Sequence, residues 1–278
     1  MKTRVVLLHH GMINYHQWVK RFGKMLTFSI IIGIGVALGL VWVTWQAPQK
    51  QAAQLFDISL WVLLGGLLGS RAVYVAGNWP YYQAYPIEIP QVWLGGLSGI
   101  GMLVGSGLTL VLVAGTTRQR VGSLADALLP LAIAITVAAW LACWLSGYAY
   151  GVIVRDWWGI PAQDEMGTVA PRFPVQLLGA LSTLGIFLAI DGLQRGPSRS
   201  RTEVPGKAAG LGLLGLSLEL FCLSYLRGDP IPIWRGQRLD TWGALGLIGL
   251  VLLLLIYSTL KHYIRNTRDA RKNKRILT

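Results

Sequence analysis

Charge is scarce in this sequence. Of 278 residues only 13% are charged, about half the roughly 25% of an ordinary soluble domain, and 53% are hydrophobic. Cysteine is scarcer. Cys143 and Cys222 both fall inside apolar stretches, which does not fit the disulfide framework of a small secreted domain. The four histidines, His9, His10, His16 and His262, lie outside the central body. There is no cluster with metal-ligand spacing and no serine-based catalytic motif, so metal-dependent hydrolysis finds no support. A cleavable leader is not evident: the apolar run Val5–Leu8 is too short for a secretory core, and no small-residue cleavage site follows it. Residues 1–25 are expected to lie on the membrane as a short amphipathic helix or to form a flexible end.

What the sequence does contain is long apolar stretches. Leu26–Val43, Leu60–Gly77, Val92–Ala114, Ala125–Leu145, Val175–Ile190, Ala208–Leu226 and Leu245–Leu260 each approach or reach spanning length, since about 20 helical residues cross a hydrocarbon core of roughly 30 Å. Hydrocarbon gives an exposed amide no partner, so helices are the expected form. The expected fold is all-α, a polytopic seven-transmembrane-helix bundle over 26–260 with a basic tail at 261–278. A net charge of +13 would suggest nucleic acid for a soluble chain. Here the basic residues lie in loops and ends, so anionic phospholipids are the expected partner instead.

Charge also suggests an orientation. Arg118 and Arg120 follow the third stretch, Arg195, Arg199, Arg201 and Lys207 the fifth, and Lys261, Arg265, Arg268, Arg271, Lys272, Lys274 and Arg275 the seventh. With seven crossings these share one side, which the positive-inside tendency makes cytoplasmic, with the amino terminus outside. Lys20, Arg21 and Lys24 oppose this assignment and are outnumbered. The outer loops Asn78–Pro90, Arg155–Pro174 and Arg227–Asp240 are rich in Trp, Tyr and Pro, as expected of short helices or structured loops on the membrane surface.

Few polar groups interrupt the spans. Arg71 is the one basic residue well inside a predicted span, after Gly65, Gly66 and Gly69 and one turn before Tyr74. Its guanidinium fork suits phosphate, carboxylate or ester oxygens, and its place near a helix end also fits snorkelling. Gly95, Gly96, Gly99, Gly101, Gly105 and Gly107 surround Ser98. Close helix packing is the leading account of that cluster, with Ser98 a candidate hydrogen-bond contact to lipid. Glu219 is the most deeply embedded acid, either a proton acceptor or a partner for Arg71. Asp126 reads as a helix cap.

Several ordered motifs resemble the prolipoprotein diacylglyceryl transferase family. Gly69-Ser70-Arg71-Ala72-Val73-Tyr74 looks like its glycine–arginine–tyrosine segment, and Trp93-Leu94-Gly95-Gly96-Leu97-Ser98 like its glycine-rich segment. Asp126-Ala127-Leu128-Leu129-Pro130-Leu131 resembles the helix entering the signature region, Gly147 and Gly151 its end, and Pro174-Val175-Gln176-Leu177 a later element. Arg227 and Asp229 resemble a terminal arginine-and-acid segment.

The resemblance implies seven spans in a bacterial cytoplasmic (inner) membrane. It also implies transfer of diacylglycerol from phosphatidylglycerol to the cysteine of a lipobox-containing preprolipoprotein, without a cofactor. Arg71 and Tyr74 would be the catalytic pair, and Ser98, Arg227 and Asp229 would contact substrate or lipid. Other family positions differ. The family's histidine falls on Ile100, its signature arginine on Trp140, its asparagines on Cys143 and Ser146, and its acid on Tyr148. A later arginine and glutamate fall on Leu220 and Ser224. Two readings therefore stay open: a divergent transferase, or a catalytically inactive accessory or lipid-binding subunit of a membrane complex. A transporter is a third, without evident repeated halves.

Overall fold

The computed structural model describes residues 15–92, 96–164, 166–195, 204–231 and 233–276. His9, His10, the Trp93-Leu94-Gly95 motif, Arg199, Arg201 and Pro232 lie outside the described residues, as do the side chains at 15–22 and from 265 onward.

The helices in chain order are α1 (Tyr15–Gln46), α2 (Gln49–Gly77), α3 (Trp79–Ala84), α4 (Gly99–Thr117), α5 (Val121–Ser146), α6 (Val175–Arg195), α7 (Lys207–Ser224) and α8 (Leu239–Ile276). All but α3 are long and apolar enough to cross a membrane, giving the seven spans expected. Their outward faces stay apolar: Leu181, Leu253 and Leu112 are 66%, 67% and 68% exposed, a surface suited to lipid and not to water. Alternating passage places the α2–α4, α5–α6 and α7–α8 connections at the same end of the bundle as the start of α1. Direct contacts agree, because Ser146 Oγ at the end of α5 donates to the Lys24 carbonyl at 3.1 Å.

Small residues decide which helices touch. A Cβ on Gly69 of α2 would lie 2.7 Å from Gly105 Cα of α4, and one on Gly101 would lie 2.9 Å from Ser70 Cα. The two backbones are in contact along Gly65–Gly69 and Gly101–Gly105, the small-xxx-small arrangement of closely packed membrane helices. A Cβ at Gly39 of α1 would likewise fall 3.0 Å from Leu131 Cα of α5.

Asp126 is a cap, though for another helix. From α5 its carboxylate accepts Gly206 N at 2.7 Å and Ala209 N at 2.8 Å, satisfying the first amides of α7 and favouring that helix's positive end. At the opposite end of α7, Thr241 Oγ1 of α8 donates to Ser224 Oγ at 2.9 Å.

The connecting loops at the α1-start end carry ordered structure. Besides α3 and a 3-10 turn at Pro86–Glu88, they include a hairpin of β1 (Ile160–Gln163) and β2 (Val169–Arg172), and a smaller one of β3 (Ile233–Trp234) and β4 (Gln237–Arg238). Pro161 faces Pro171 across the first hairpin, so its two residues without an N–H sit opposite each other. Asp164 Oδ1 closes the tip by accepting Met166 N at 3.0 Å and Thr168 N at 2.8 Å. This hairpin lies back over the bundle end, where Lys24 Nζ of α1 donates to the Asp164 carbonyl at 3.2 Å.

Candidate functional site

The polar residues gather in separate centres. In the first, Arg71 is buried on α2 with 5% of its surface exposed. Its Nε donates to Ile89 O at 2.8 Å, one Nη to Glu88 O at 2.6 Å and the other to Gly96 O at 3.1 Å. The Tyr82 ring lies 5.3 Å from the guanidinium carbon. Arg71 therefore fastens the α2–α4 connection onto α2, bonding protein carbonyls. Tyr74 packs here too, edge-on to Tyr82 at 6.4 Å. Gly96 has φ +75, and a Cβ there would lie 2.5 Å from the Tyr74 ring and 2.9 Å from Arg71 Nη1, so only glycine fits. Ser98 joins Arg71 and Tyr74 in this centre, but as the N-cap of α4: its side chain accepts Gly101 N at 3.2 Å, and its carbonyl accepts Ser70 Oγ at 2.9 Å. Nearby, Tyr81 donates to Glu88 at 2.7 Å. That bond, then partial burial and the Glu88 charge, push the Tyr81 hydroxyl up to about 12.

Glu219 forms the second centre, away from Arg71. A pairing with Arg71, one of the two alternatives for Glu219, is not found. Instead Glu219 accepts Trp140 Nε1 of α5 at 2.9 Å and Thr183 Oγ1 of α6 at 2.9 and 3.0 Å. Trp140 lies flat on α6, where a Cβ at Gly179 would come within 2.5 Å of its ring.

Arg227 and Asp229 come together in the third centre. Arg227 Nε and Nη2 bind the two Asp229 oxygens at 2.9 and 2.5 Å, a bidentate geometry. Arg227 Nη1 also reaches Asp240 at 3.3 Å, and Arg238 bridges Asp229 at 3.1 Å and Asp240 at 3.2 Å. Two cations and two anions alternate. Burial alone would raise the Asp229 carboxyl, but the hydrogen bonds and charges of Arg227 and Arg238 outweigh it and hold the group below its ordinary range. Burial likewise works against the Arg227 charge, and Asp229 and Asp240 reverse that effect. Sequence reasoning missed Arg238 and Asp240 as members of this centre. The repeated Arg-x-Asp spacing, Arg227-Gly228-Asp229 and Arg238-Leu239-Asp240, was the available signal.

A further pair was also missed. Arg172 of β2 meets Asp164 at 3.3 Å and lies over the Tyr150 ring at 4.4 Å. The Thr168 amide above all, with the Met166 amide and Arg172 assisting, holds the Asp164 carboxyl low against burial. Among the described residues, no three His, Cys, Asp or Glu side chains are grouped to hold a metal ion.

An apolar groove of about 520 Å³ separates α4 from α8, backed by α5 and α7. Glu219 lies in its wall.

The sequence profile described as prolipoprotein diacylglyceryl transferase matches residues 19–257. The chain is 33% identical over 200 residues to the phosphatidylglycerol–prolipoprotein diacylglyceryl transferase of Rhodospirillum rubrum, covering 68% of each chain. It is 26% identical over 218 residues to the protein of that name from Thermosynechococcus vestitus, covering 76% of this chain and 78% of the other. With the one from Brucella ovis it shares 28% over 221 residues, covering 78% and 75%. Matched over most of its length and on the seven-span bundle it folds into, the chain belongs to the prolipoprotein diacylglyceryl transferase family.

Proposed function

We propose that this protein is a lipid-binding member of the family that holds lipid in its bundle without transferring a diacylglyceryl group. One observation carries the reading: the guanidinium groups a transfer would draw on are committed within the protein. Arg71 bonds three backbone carbonyls, and Arg227 is closed against Asp229 and Asp240. Transfer needs a cysteine thiolate, since the neutral thiol is a poor nucleophile, and a cation to stabilise the departing phosphate. By the resemblance, the family's histidine falls on Ile100, its signature arginine on Trp140 and its later arginine on Leu220, and none of these can act as a base or carry a positive charge. The protein would act as an accessory subunit beside other membrane proteins.

Divergent transfer is the second reading, favoured by the activity named for the relatives and by the presence of Arg71, Tyr74, Arg227 and Asp229. The test is product analysis in phosphatidylglycerol vesicles with a lipobox peptide, beside an intact-complex mass measurement in gentle detergent. The expected result is bound lipid or partner with no thiol-dependent mass gain on the peptide. A lipidated peptide from the wild-type chain, lost in Arg71→Ala of intact fold, would establish transfer.

For orientation we infer an inner-membrane protein with its amino terminus outside, supported by Arg118, Arg120, Lys207 and Lys261 at the other end of the bundle. Labelling of Trp157→Cys in intact cells by an impermeant thiol reagent tests this, and labelling only after lysis would reverse it.

A further inference from the structure

The groove between α4 and α8 has a hydrogen-bonding character of its own. At about 520 Å³ it falls within the roughly 300–1,000 Å³ of ligand sites. Its walls are mostly leucine and valine, Leu103 and Leu108 from α4 and Leu250 and Leu254 from α8 among them, and its polar lining is Thr136, Ser217 and Glu219. Both hydroxyl protons are engaged: Thr136 Oγ1 donates to Ala132 O at 2.8 Å, and Ser217 Oγ to Leu213 O at 2.6 Å. Among the described residues, no lining side chain is an ammonium, guanidinium, amide or indole. The groove therefore presents acceptor oxygens between apolar walls.

That polarity selects among lipids. A phosphodiester headgroup is an anion with acceptor oxygens; here it meets no cationic, amide or indole donor. A lipid alcohol is the complement, with chains for the leucine walls and one O–H for an acceptor, so its hydroxyl is not left unpaired in hydrocarbon. We propose that the groove binds a neutral lipid alcohol of the diacylglycerol type, its hydroxyl donated to the Ser217 oxygen. The inference rests on the lipid-binding reading above and narrows its ligand to an uncharged one.

The test uses the full chain in detergent, equilibrated with equal amounts of dioleoylglycerol, its methyl ether, and phosphatidylglycerol with the same chains, and read by native mass spectrometry. The alcohol is expected to be retained about fivefold over the ether, the factor one hydrogen bond contributes, and at least as strongly over phosphatidylglycerol. Leu108→Trp, which fills the groove from the lipid-facing side of α4, is expected to abolish retention. Ser217→Ala is expected to narrow the preference for alcohol over ether. Equal retention of alcohol and ether, or alcohol binding that survives Leu108→Trp, overturns the assignment. Phosphatidylglycerol retained in preference overturns it too, and leaves the lipid-binding reading standing. Conversion of a lipobox peptide under the same conditions defeats only the reading without transfer, and retention of no lipid defeats both.

Discussion

Trp140 of α5 donates its indole N–H to the Glu219 carboxyl of α7 across 2.9 Å, and Thr183 of α6 donates to the same oxygen. Three spans are thus joined at one buried atom. Loss of the indole donor takes one bond from a carboxyl buried away from water, so Trp140→Phe is expected to destabilise the bundle by about 1–3 kcal/mol. Thermal unfolding in detergent measures this. Combined with Thr183→Val the cost is expected to be non-additive, because both donors share Oε1; strict additivity would show that the two bonds act independently.

Arg71→Ala removes the donor of three carbonyl bonds. Hydrogen exchange is expected to accelerate in 86–98 while α5 to α7 stay protected, at a cost of at least about 1–3 kcal/mol for the acceptors left unpaired. Arg71→Lys is expected to restore little, since an ammonium lacks the fork that spans separate acceptors. Unchanged exchange in 86–98 would remove Arg71 from this structural role.

The same substitution at two glycines of α4 is expected to give opposite results. A Cβ at Gly105 would lie 2.9 Å from Gly69 Cα, whereas one at Gly115 meets nothing within 4 Å. Gly105→Ala is expected to cost about 1–3 kcal/mol through overpacking, and Gly115→Ala to be neutral or stabilising by up to about 1 kcal/mol through helix propensity. Similar melting temperatures for the two variants would contradict the close approach of α2 and α4.

Acid is expected to loosen the α7–α8 connection. The Asp229 carboxyl is depressed below its ordinary 3.8 in the folded protein, so the unfolded chain takes up its proton first as pH falls. Its contribution to stability is complete above the ordinary value and is lost as pH drops through the lower folded one. Thermal unfolding followed downward from about pH 6 is expected to hold and then fall in the wild type, with a smaller acid decline in Asp229→Asn. An equal decline in both would assign the acid sensitivity elsewhere.

The spans were legible because hydrophobicity measures depth in lipid, and that same property blurred their ends. Hydropathy extends the third stretch back to Val92, yet α4 begins at Gly99; Leu97 belongs to the connection that Arg71 holds. The second stretch was read from Leu60, yet α2 begins at Gln49, because polar residues such as Gln51 and Gln54 continue a helix as readily as apolar ones. For the β1–β2 hairpin the sequence predicts no more than a short helix or a structured loop. Its turn signal, Asp164 ahead of Gly167 at φ +87, was visible, but prolines in both strands concealed the ladder. For the site, sequence singled out Arg71 and Glu219 by their cost in hydrocarbon. It could not give their partners, because three backbone carbonyls leave no side-chain signature and Trp140 is 79 residues from Glu219.

The two shortest spans border the groove. α4 has 19 residues and α7 has 18, about 28 and 27 Å at 1.5 Å per residue, a little under a hydrocarbon core of about 30 Å. Asp126 and Thr241 tie α7 at both ends. A mismatch of this kind draws the surrounding leaflets inward, so the bilayer beside the mouth between α4 and α8 is expected to be thinner than around the longer spans.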